Sequence, residues 1–488
     1  MHWEGIRMMY TENRIDYISY CASYVLAFTA SRLGYVYLAG IVLMLEALLL
    51  YMVNLKRSGN LTDLRGLFSL SWVGGEGIAC LQLSRLQRDW EILTWVCFFL
   101  AYFCFISAYT FSDKVRLFRR DRSYEMPSGY TSLDKTRLLR RKEQYGVLSG
   151  EDSAAGRTEK QTRGKGSMEK NPRQARRILI CVILLGTGSI FCFLLEAVVL
   201  GFIPLFSPEP HAYSYFHISG VHYFTVSCIL IPALSVLYVR LTEKWTAFRF
   251  AVLAAGNLTA VGIPILCVSR FQLLFAVGFA AVVYLMLYRH VTWKIIVTAL
   301  IILIPVYVLL TVARRHDITY LNGIFEMKYD KMPIFITQPY IYVANNYENF
   351  NCMVAQLPEF SMGLRMLFPV FALTGLKFVF PQVTAFPLYT TKEELTTVTL
   401  FYDAYYDFGF VGIILLAFVL GCMAAWMTRW VENSRNPAAY LFYGQIAIYL
   451  GLSFFTTWFS NPTTWFWLAA TFAMYVFMGY QGQGKSSK

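Results

Sequence analysis

The sequence predicts an all-α polytopic membrane protein, on three observations. Hydrophobic residues fill 57% of its 488 positions and charged residues only 15%, against roughly 25% charged in soluble domains. Apolar stretches long enough to cross a bilayer recur along the chain. The cations gather in alternate connections between those stretches, and 18 of the 43 Lys and Arg lie between Lys114 and Arg177. A basic block between two apolar spans is what the positive-inside rule expects of a cytoplasmic loop. The net charge of +13 therefore reports topology, with contact to anionic lipid or a regulatory partner as the alternative. No nucleic-acid partner is expected.

About twelve spans follow, near 17–32, 35–54, 67–83, 92–111, 177–202, 221–240, 248–268, 271–288, 295–312, 408–428, 440–458 and 464–481. The first is short and polar, and Glu76 with the Gly74-Gly75 pair weakens the third. The connections LKRSG, 112–176, TEKWTAFR, RHVTWK and TRWVENSR and the tail GKSSK are all basic. They fall on one side, the cytoplasm, with both termini inside. Five regions result: N-terminal spans over 1–111, a charged cytoplasmic loop over 112–176, central spans over 177–312, a large extracytoplasmic loop over 313–406 and C-terminal spans over 407–488. The 112–176 loop is rich in charge, Ser and Gly, which predicts partial disorder.

The 313–406 loop carries its own apolar run, FSMGLRMLFPVFALTGLKFVF, interrupted by Arg365 and Lys377. That interruption favours an interfacial or re-entrant element over a full span. Ordered loops of this length are usually functional, so this one is the candidate cover of an active site. No internal repeat of helices is evident, which argues against the duplicated fold usual in secondary transporters.

Ten cysteines show no CxxC pair and lie mainly in apolar segments, as small core hydrophobes do. His211, His217 and His222 are spaced by six and five residues, which places them on no common helix face. No metal and no cofactor are expected. The N-terminus has no cleavage-site pattern after it, so no removed signal peptide is expected. Walker A, GxSxG, HExxH and Rossmann patterns are absent. Asp407-Phe408-Gly409 matches a kinase tripeptide, but no glycine-rich strand or catalytic loop accompanies it.

Ionisable groups at membrane depth are expensive and tend to mark function. Arg270, in ILCVSRFQLLFAVG, sits between two apolar runs at the outer surface. It is either a snorkelling helix-end arginine or an anion site. Arg314, Arg315, His316 and Asp317 fall at the same outer level, against the positive-inside bias. Guanidinium forks take phosphate oxygens two at a time, so these arginines could clamp a diphosphate or simply pair with nearby acids. Glu393, Glu394, Asp403 and Asp407 are carboxylates that could serve as a base. Asp407 could equally cap the span behind it, where Gly409, Gly412 and Gly421 allow close helix packing. Tyr340, Tyr342, Asn345, Asn346, Tyr347 and Asn349 come together in QPYIYVANNYENFN, and their aromatic faces and amides suit sugar rings and hydroxyls. An interfacial aromatic belt is the plainer account of the tyrosines.

Several stretches carry a resemblance: GFIPLFSPEPHAYSYFHISGVHYF, SRFQLL, ARRHD, PYIYVANNYENF and ELTTVTLFYDAYYDFGFVGIILLAFVLG. In this order they resemble the bacterial oligosaccharide repeat-unit polymerases, the Wzy-type O-antigen and capsule polymerases, over about residues 196–430. The resemblance implies a GT-C-like, metal-independent membrane glycosyltransferase of exopolysaccharide synthesis in the cell envelope. Its donor would be a glycan on undecaprenyl diphosphate, transferred to another lipid-linked repeat unit at the outer face of the cell membrane. A flippase and a chain-length regulator would be its partners in the bilayer. The resemblance also implies site roles. Arg270 matches the essential outer-loop arginine and Arg314 with Arg315 the second basic site, and His316 lies where related ligases use a loop histidine. By their own chemistry, Asp407 joins the catalytic candidates as base, helix cap or acceptor-sugar ligand, and Tyr340, Tyr342, Asn345, Asn346, Glu394, Thr397 and Asp403 are the candidate sugar-binding residues. The competing readings are an O-antigen-type ligase, a lipid-linked oligosaccharide flippase or transporter, and a non-catalytic membrane scaffold.

Overall fold

A computed structural model describes residues 2–122, 170–208, 212–289, 301, 318–329 and 331–479. These residues are helical, with no strand among them beyond one isolated bridge, Ser84 to Met327. In chain order the helices are α1 (His2–Arg32), α2 (Val36–Ser58), α3 (Leu64–Phe68), α4 (Gly74–Cys80), α5 (Ile92–Arg122), α6 (Pro172–Leu200), α7 (Val221–Leu241), α8 (Ala247–Leu266) and α9 (Arg270–Tyr288). After them come α10 (Ile318–Phe325), α11 (Ile334–Gln356), α12 (Phe368–Leu373), α13 (Tyr402–Asn433), α14 (Ala438–Gly451) and α15 (Pro462–Gly479).

Seven of these are long and apolar enough to cross a membrane: α2, α5 over Ile92–Asp113, α6, α7, α8, α9 and α13. The chain is thus an all-α membrane protein, with seven such helices among the described residues where the sequence suggested twelve spans. The reasons are local. The 67–83 stretch is divided among α3, a π-helical turn at Ser69–Val73 and α4, with Glu76 buried in it. The 440–458 stretch stops being helical at Gly451, after 14 residues. In α15, Thr463, Thr464, Thr471 and two tryptophans dilute the apolar character. Of the 295–312 stretch only residue 301 is described, and most of the 112–176 loop lies outside the described residues; α5 continues into that loop as far as Arg122 and α6 departs from it at Pro172.

Capping places the helix ends. Asn171 accepts the N–H groups of Arg173 and Gln174 at 3.1 and 3.2 Å with Pro172 at the first position of α6, the arrangement expected of a helix start. α6, α7, α8 and α9 then run alternately up and down, with Asn171 N–H donating to the Leu241 carbonyl at 3.1 Å; α8 and α9 follow on short connections and α7 after the longer 201–220 stretch. Gln174 Nε2 donates to the Arg435 carbonyl at 3.3 Å, and Arg177 Nη1 to that of Met478 at 3.0 Å. The start of α6, the α13–α14 connection and the end of α15 therefore share one end of the bundle, the end with the basic connections. The starts of α7, α9 and α13 lie at the other.

α13 packs along α5, where Gly421 brings the backbones so close that a Cβ there would stand 2.2 Å from the Phe105 carbonyl oxygen. Beside this pair Trp72, Phe98, Tyr347 and Phe401 form a buried aromatic knot; the rings of Trp72 and Phe401 are 4.9 Å apart, those of Phe98 and Tyr347 5.2 Å. Tyr347 belongs to α11, a helix the sequence reading put in the outer loop. Its residues 344–351 are all buried, and it packs against α4 and α5. None of the ten cysteines is paired.

Candidate functional site

At the end of the bundle away from the basic connections, α13 is broken. Phe408 (φ −140°, ψ 18°) and Gly409 (φ 58°, ψ −145°) leave helical geometry. Gly409 takes a backbone conformation in which a side chain is strained, and a Cβ would also meet the Phe360 ring at 2.9 Å; only glycine fits there. The break frees the preceding turn to hold the 361–366 segment. The carboxylate of Asp407, fully buried, accepts the hydroxyl of Ser361 and the N–H groups of Arg365 (3.1 Å) and Met366 (2.9 Å). Its backbone carbonyl accepts the N–H of Met362 at 3.2 Å. Asp407 is therefore the anchor of a turn contributed by residues more than forty positions earlier.

That turn delivers Arg365. Its Nε donates to Asp403 Oδ1 at 2.5 Å, and the guanidinium lies over the rings of Tyr406 (4.5 Å) and Tyr402 (5.7 Å). Tyr402 is held in place by Tyr389, whose N–H donates to the phenol oxygen at 2.8 Å while the phenol donates to the Tyr389 carbonyl at 3.2 Å. The Arg365 side chain is 14% exposed. Among the described residues no protein group accepts a hydrogen bond from its Nη1 or Nη2. One carboxylate and two aromatic faces thus fix the plane of a guanidinium whose terminal edge stays open. Such an edge takes two oxygens of a phosphate or carboxylate at once.

Arg270 begins α9 behind its cap, Ser269, and is only 8% exposed. Its neighbour Phe271 stacks on Phe455 at 4.9 Å and packs on Trp458 at 5.6 Å. The same turn reaches the Arg365 segment, where Ser460 Oγ donates to Met366 Sδ at 3.1 Å. The structure therefore brings Arg270, Asp403 and Asp407 to one end of the bundle, linked through residues 455–460. Arg314, Arg315 and His316 lie outside the described residues.

The residues expected to bind sugar are placed differently from one another. Tyr340 accepts the N–H of Leu83 at 2.7 Å and donates to Gln87 at 2.5 Å, fastening the 81–91 loop. Asn345 accepts the hydroxyl of Thr391 at 2.8 Å. Asn346 donates to the Tyr342 and Phe454 carbonyls at 2.7 and 2.8 Å and accepts the Thr397 hydroxyl at 2.6 Å. Asn349 continues the series, donating to the Leu395 and Thr397 carbonyls at 2.7 and 2.8 Å. These amides stitch the irregular 391–397 strand of chain to α11, satisfying backbone groups that no helix or sheet satisfies. Tyr342 is half-buried with its ring 6.3 Å from that of Phe455, and Glu394 is exposed. One further α11 residue is titratable and buried. Burial pushes Glu348 up to about 7, against the opposing hydrogen bond from Asn351 Nδ2.

Two features escaped the sequence reading. Arg365 was visible only as an interruption of an apolar run. The second is Glu196, whose buried carboxylate accepts from Ile218 N (2.9 Å), Thr225 Oγ1 (2.7 Å) and the Nδ1 of His222 (3.2 Å). No signal in the sequence joins Glu196 to His222, which is 26 residues away. Among the described residues no group of three or more His, Cys, Asp and Glu could hold a metal ion. Comparison with protein-family models, with curated proteins and with solved structures finds no match to this chain.

Proposed function

We propose that this protein is a multi-pass glycosyltransferase of the cell membrane, one that joins undecaprenyl-diphosphate-linked oligosaccharide repeat units at the outer face, within a GT-C-like fold. The observation that carries the reading is the open guanidinium edge of Arg365, fixed by Asp403 and two tyrosine faces at the end of the bundle opposite the basic connections. By the positive-inside bias that end faces out, where a polymerase would meet its lipid-linked substrates.

In this reaction the bond between the donor's reducing-end sugar and its diphosphate breaks, and negative charge grows on the departing diphosphate. A guanidinium already held in place stabilises that charge without reorganising, and more in the transition state than in the ground state. Arg270, at the same end, adds a second positive charge. Asp403 keeps Arg365 in register, and Asp407 holds the turn that carries it. The exposed apolar residues of the same segment, Met362, Leu367, Val370 and Phe378 among them, suit an element lying in the outer leaflet beside a polyprenyl chain.

The test supplies the purified protein, in lipid nanodiscs, with a lipid-linked repeat unit and no nucleotide sugar. A ladder of multiples with release of lipid diphosphate is expected, and Arg365→Ala and Arg270→Ala should each abolish it. Transbilayer movement without a ladder would overturn the reading in favour of a flippase. Transfer of a single finished glycan to a different acceptor would overturn it in favour of a ligase.

A further inference from the structure

The segment 217–225 lies at the same end of the bundle as Arg365 and is built around the carboxylate of Glu196. That carboxylate, near the end of α6, is fully buried. It receives three donors from one short stretch: the Ile218 N–H, the Thr225 hydroxyl and the His222 ring. Both of its oxygens stand 3.2 Å from His222 Nδ1. A carboxylate in that position accepts, so Nδ1 carries a proton, and in the neutral ring Nε2 is left with its lone pair. The His222 side chain is 27% exposed, and among the described residues Nε2 has no hydrogen-bonding partner. A base oriented by a buried carboxylate, with its other nitrogen open, is the arrangement that activates a hydroxyl.

The surroundings tie this pair to the Arg365 segment. Lys377, on the turn after α12, donates to Ser219 Oγ at 3.3 Å. Phe466 of α15 packs on the rings of Tyr223 and Phe224 at 5.6 and 4.8 Å, and α15 also packs against α12, the helix that follows Arg365. The 217–225 segment and the segment that carries Arg365 are thus joined through the Ser219–Lys377 contact and through α15.

We propose that His222 is the general base for the acceptor hydroxyl and Glu196 its positioning residue; this rests on the polymerase reading above. The hydroxyl proton of the acceptor sugar passes to His222 Nε2 while its oxygen forms a bond to the donor's anomeric carbon. The bond from that carbon to the diphosphate oxygen breaks, and its electron pair leaves on the diphosphate beside Arg365. The imidazolium, stabilised by Glu196, then releases its proton to water. The charged or titratable groups around His222 and its carboxylate among the described residues are Glu196 and Cys192 from α6, His217 and Tyr223 from the same loop, with the two histidine ring centroids 6.5 Å apart, Cys228 from residues 226–230, Cys267 after α8, and Lys377 through Ser219.

The experiment measures chain growth and lipid-diphosphate binding from pH 5 to 9 for the wild type, His222→Gln and Glu196→Gln. For His222→Gln the rate should fall about 10²- to 10⁴-fold, the usual contribution of a general base, with binding within twofold of wild type. The wild-type loss of rate toward acid pH should vanish from what activity remains. Glu196→Gln should lower the rate and move that acid limb without weakening binding. Should it fail to fold, His222→Gln decides alone. A ladder made by His222→Gln at wild-type rate, or with the wild-type pH profile, overturns the role of His222 and leaves the polymerase reading standing. A wild type that makes no ladder overturns both.

Discussion

Replacing Asp407 by Asn separates two things a carboxylate at the start of a span can do. In the structure it accepts three donors, with the Ser361 hydroxyl and Arg365 N–H on one oxygen and the Met366 N–H on the other. Asparagine can keep its oxygen toward the first two, which turns its amide NH2 against the Met366 N–H. One part-buried donor then loses its acceptor, at a cost of about 1–3 kcal/mol, and the remaining bonds lose their charge-assisted share, roughly 1 kcal/mol in total. The expected destabilisation of Asp407→Asn is therefore about 3 kcal/mol. It should be read by tryptophan fluorescence during thermal unfolding in detergent, for which the 11 tryptophans provide the signal. Because the loosened turn carries Arg365, binding of a diphosphate-headed lipid should weaken alongside stability. A variant that unfolds like wild type and binds lipid diphosphate normally, yet makes no chains, would refute the anchor and make Asp407 a base.

Three further outcomes follow from other parts of the molecule. Glu348 holds its proton up to about pH 7 when folded, against an ordinary value of 4.5, so the native state binds more protons than the unfolded one between those limits. Stability therefore falls as pH rises through that window, by about 3 kcal/mol in all. Glu348→Gln should abolish that fall and be the more stable protein at pH 8; unfolding midpoints with the same pH dependence in both proteins would count against it. Arg365→Lys puts a single ammonium where a fork is needed, so lipid-diphosphate binding should weaken at least about tenfold while the unfolding temperature changes little. Gly421→Ala forces a methyl group against the Phe105 carbonyl and should destabilise the α5–α13 pair by about 1–3 kcal/mol, visible as a lower unfolding temperature, whereas an unchanged one would deny the close approach.

The long apolar helices were legible because length and hydropathy are properties of contiguous sequence. Their ends were less so: Gly451 closes α14 early, and the π turn at Ser69–Val73 divides what composition alone reads as one span. Asp407 was placed at the head of its helix, but its task depends on Ser361, Arg365 and Met366, and nothing nearby announces a partner at such a distance. The Asn and Tyr residues of α11 show the same limit from the other side. An amide that can bind a hydroxyl of a sugar can equally satisfy the carbonyls of an irregular connection, and Asn346 and Asn349 do the latter. Asn345, Asn346 and Asn349 fall on one helix face by spacing, a clue to a common neighbour but not to its identity. The coupling of Glu196 to His222 needed the return of the chain between α6 and α7 to become visible.

The arginines at the two ends of the bundle show why Arg365 stands apart. At the basic end Arg57 gives two terminal nitrogens to Asp16, and Arg429 gives Nε and Nη2 to Asp113. Two-nitrogen pairing occupies much of the fork and suits a lock between helices. Arg65 comes closer to Arg365, with Nε on Asp63 at 3.3 Å and its guanidinium 4.6 Å from the Tyr109 ring centroid. Its carboxylate, however, lies only two residues away on the same turn, where Asp63 also caps α3. That is a local brace for the start of a helix, at the end that retains positive charge by topology. Arg65→Ala is accordingly the control for Arg365→Ala: both remove an aromatic-stacked, singly paired arginine, so both should lower the unfolding temperature. Only the second should lose lipid-diphosphate binding, because only Arg365 is carried by a segment that another element must hold in place. Equal loss of binding in the two variants would mean that net charge attracts the lipid, and that the open edge of Arg365 does not.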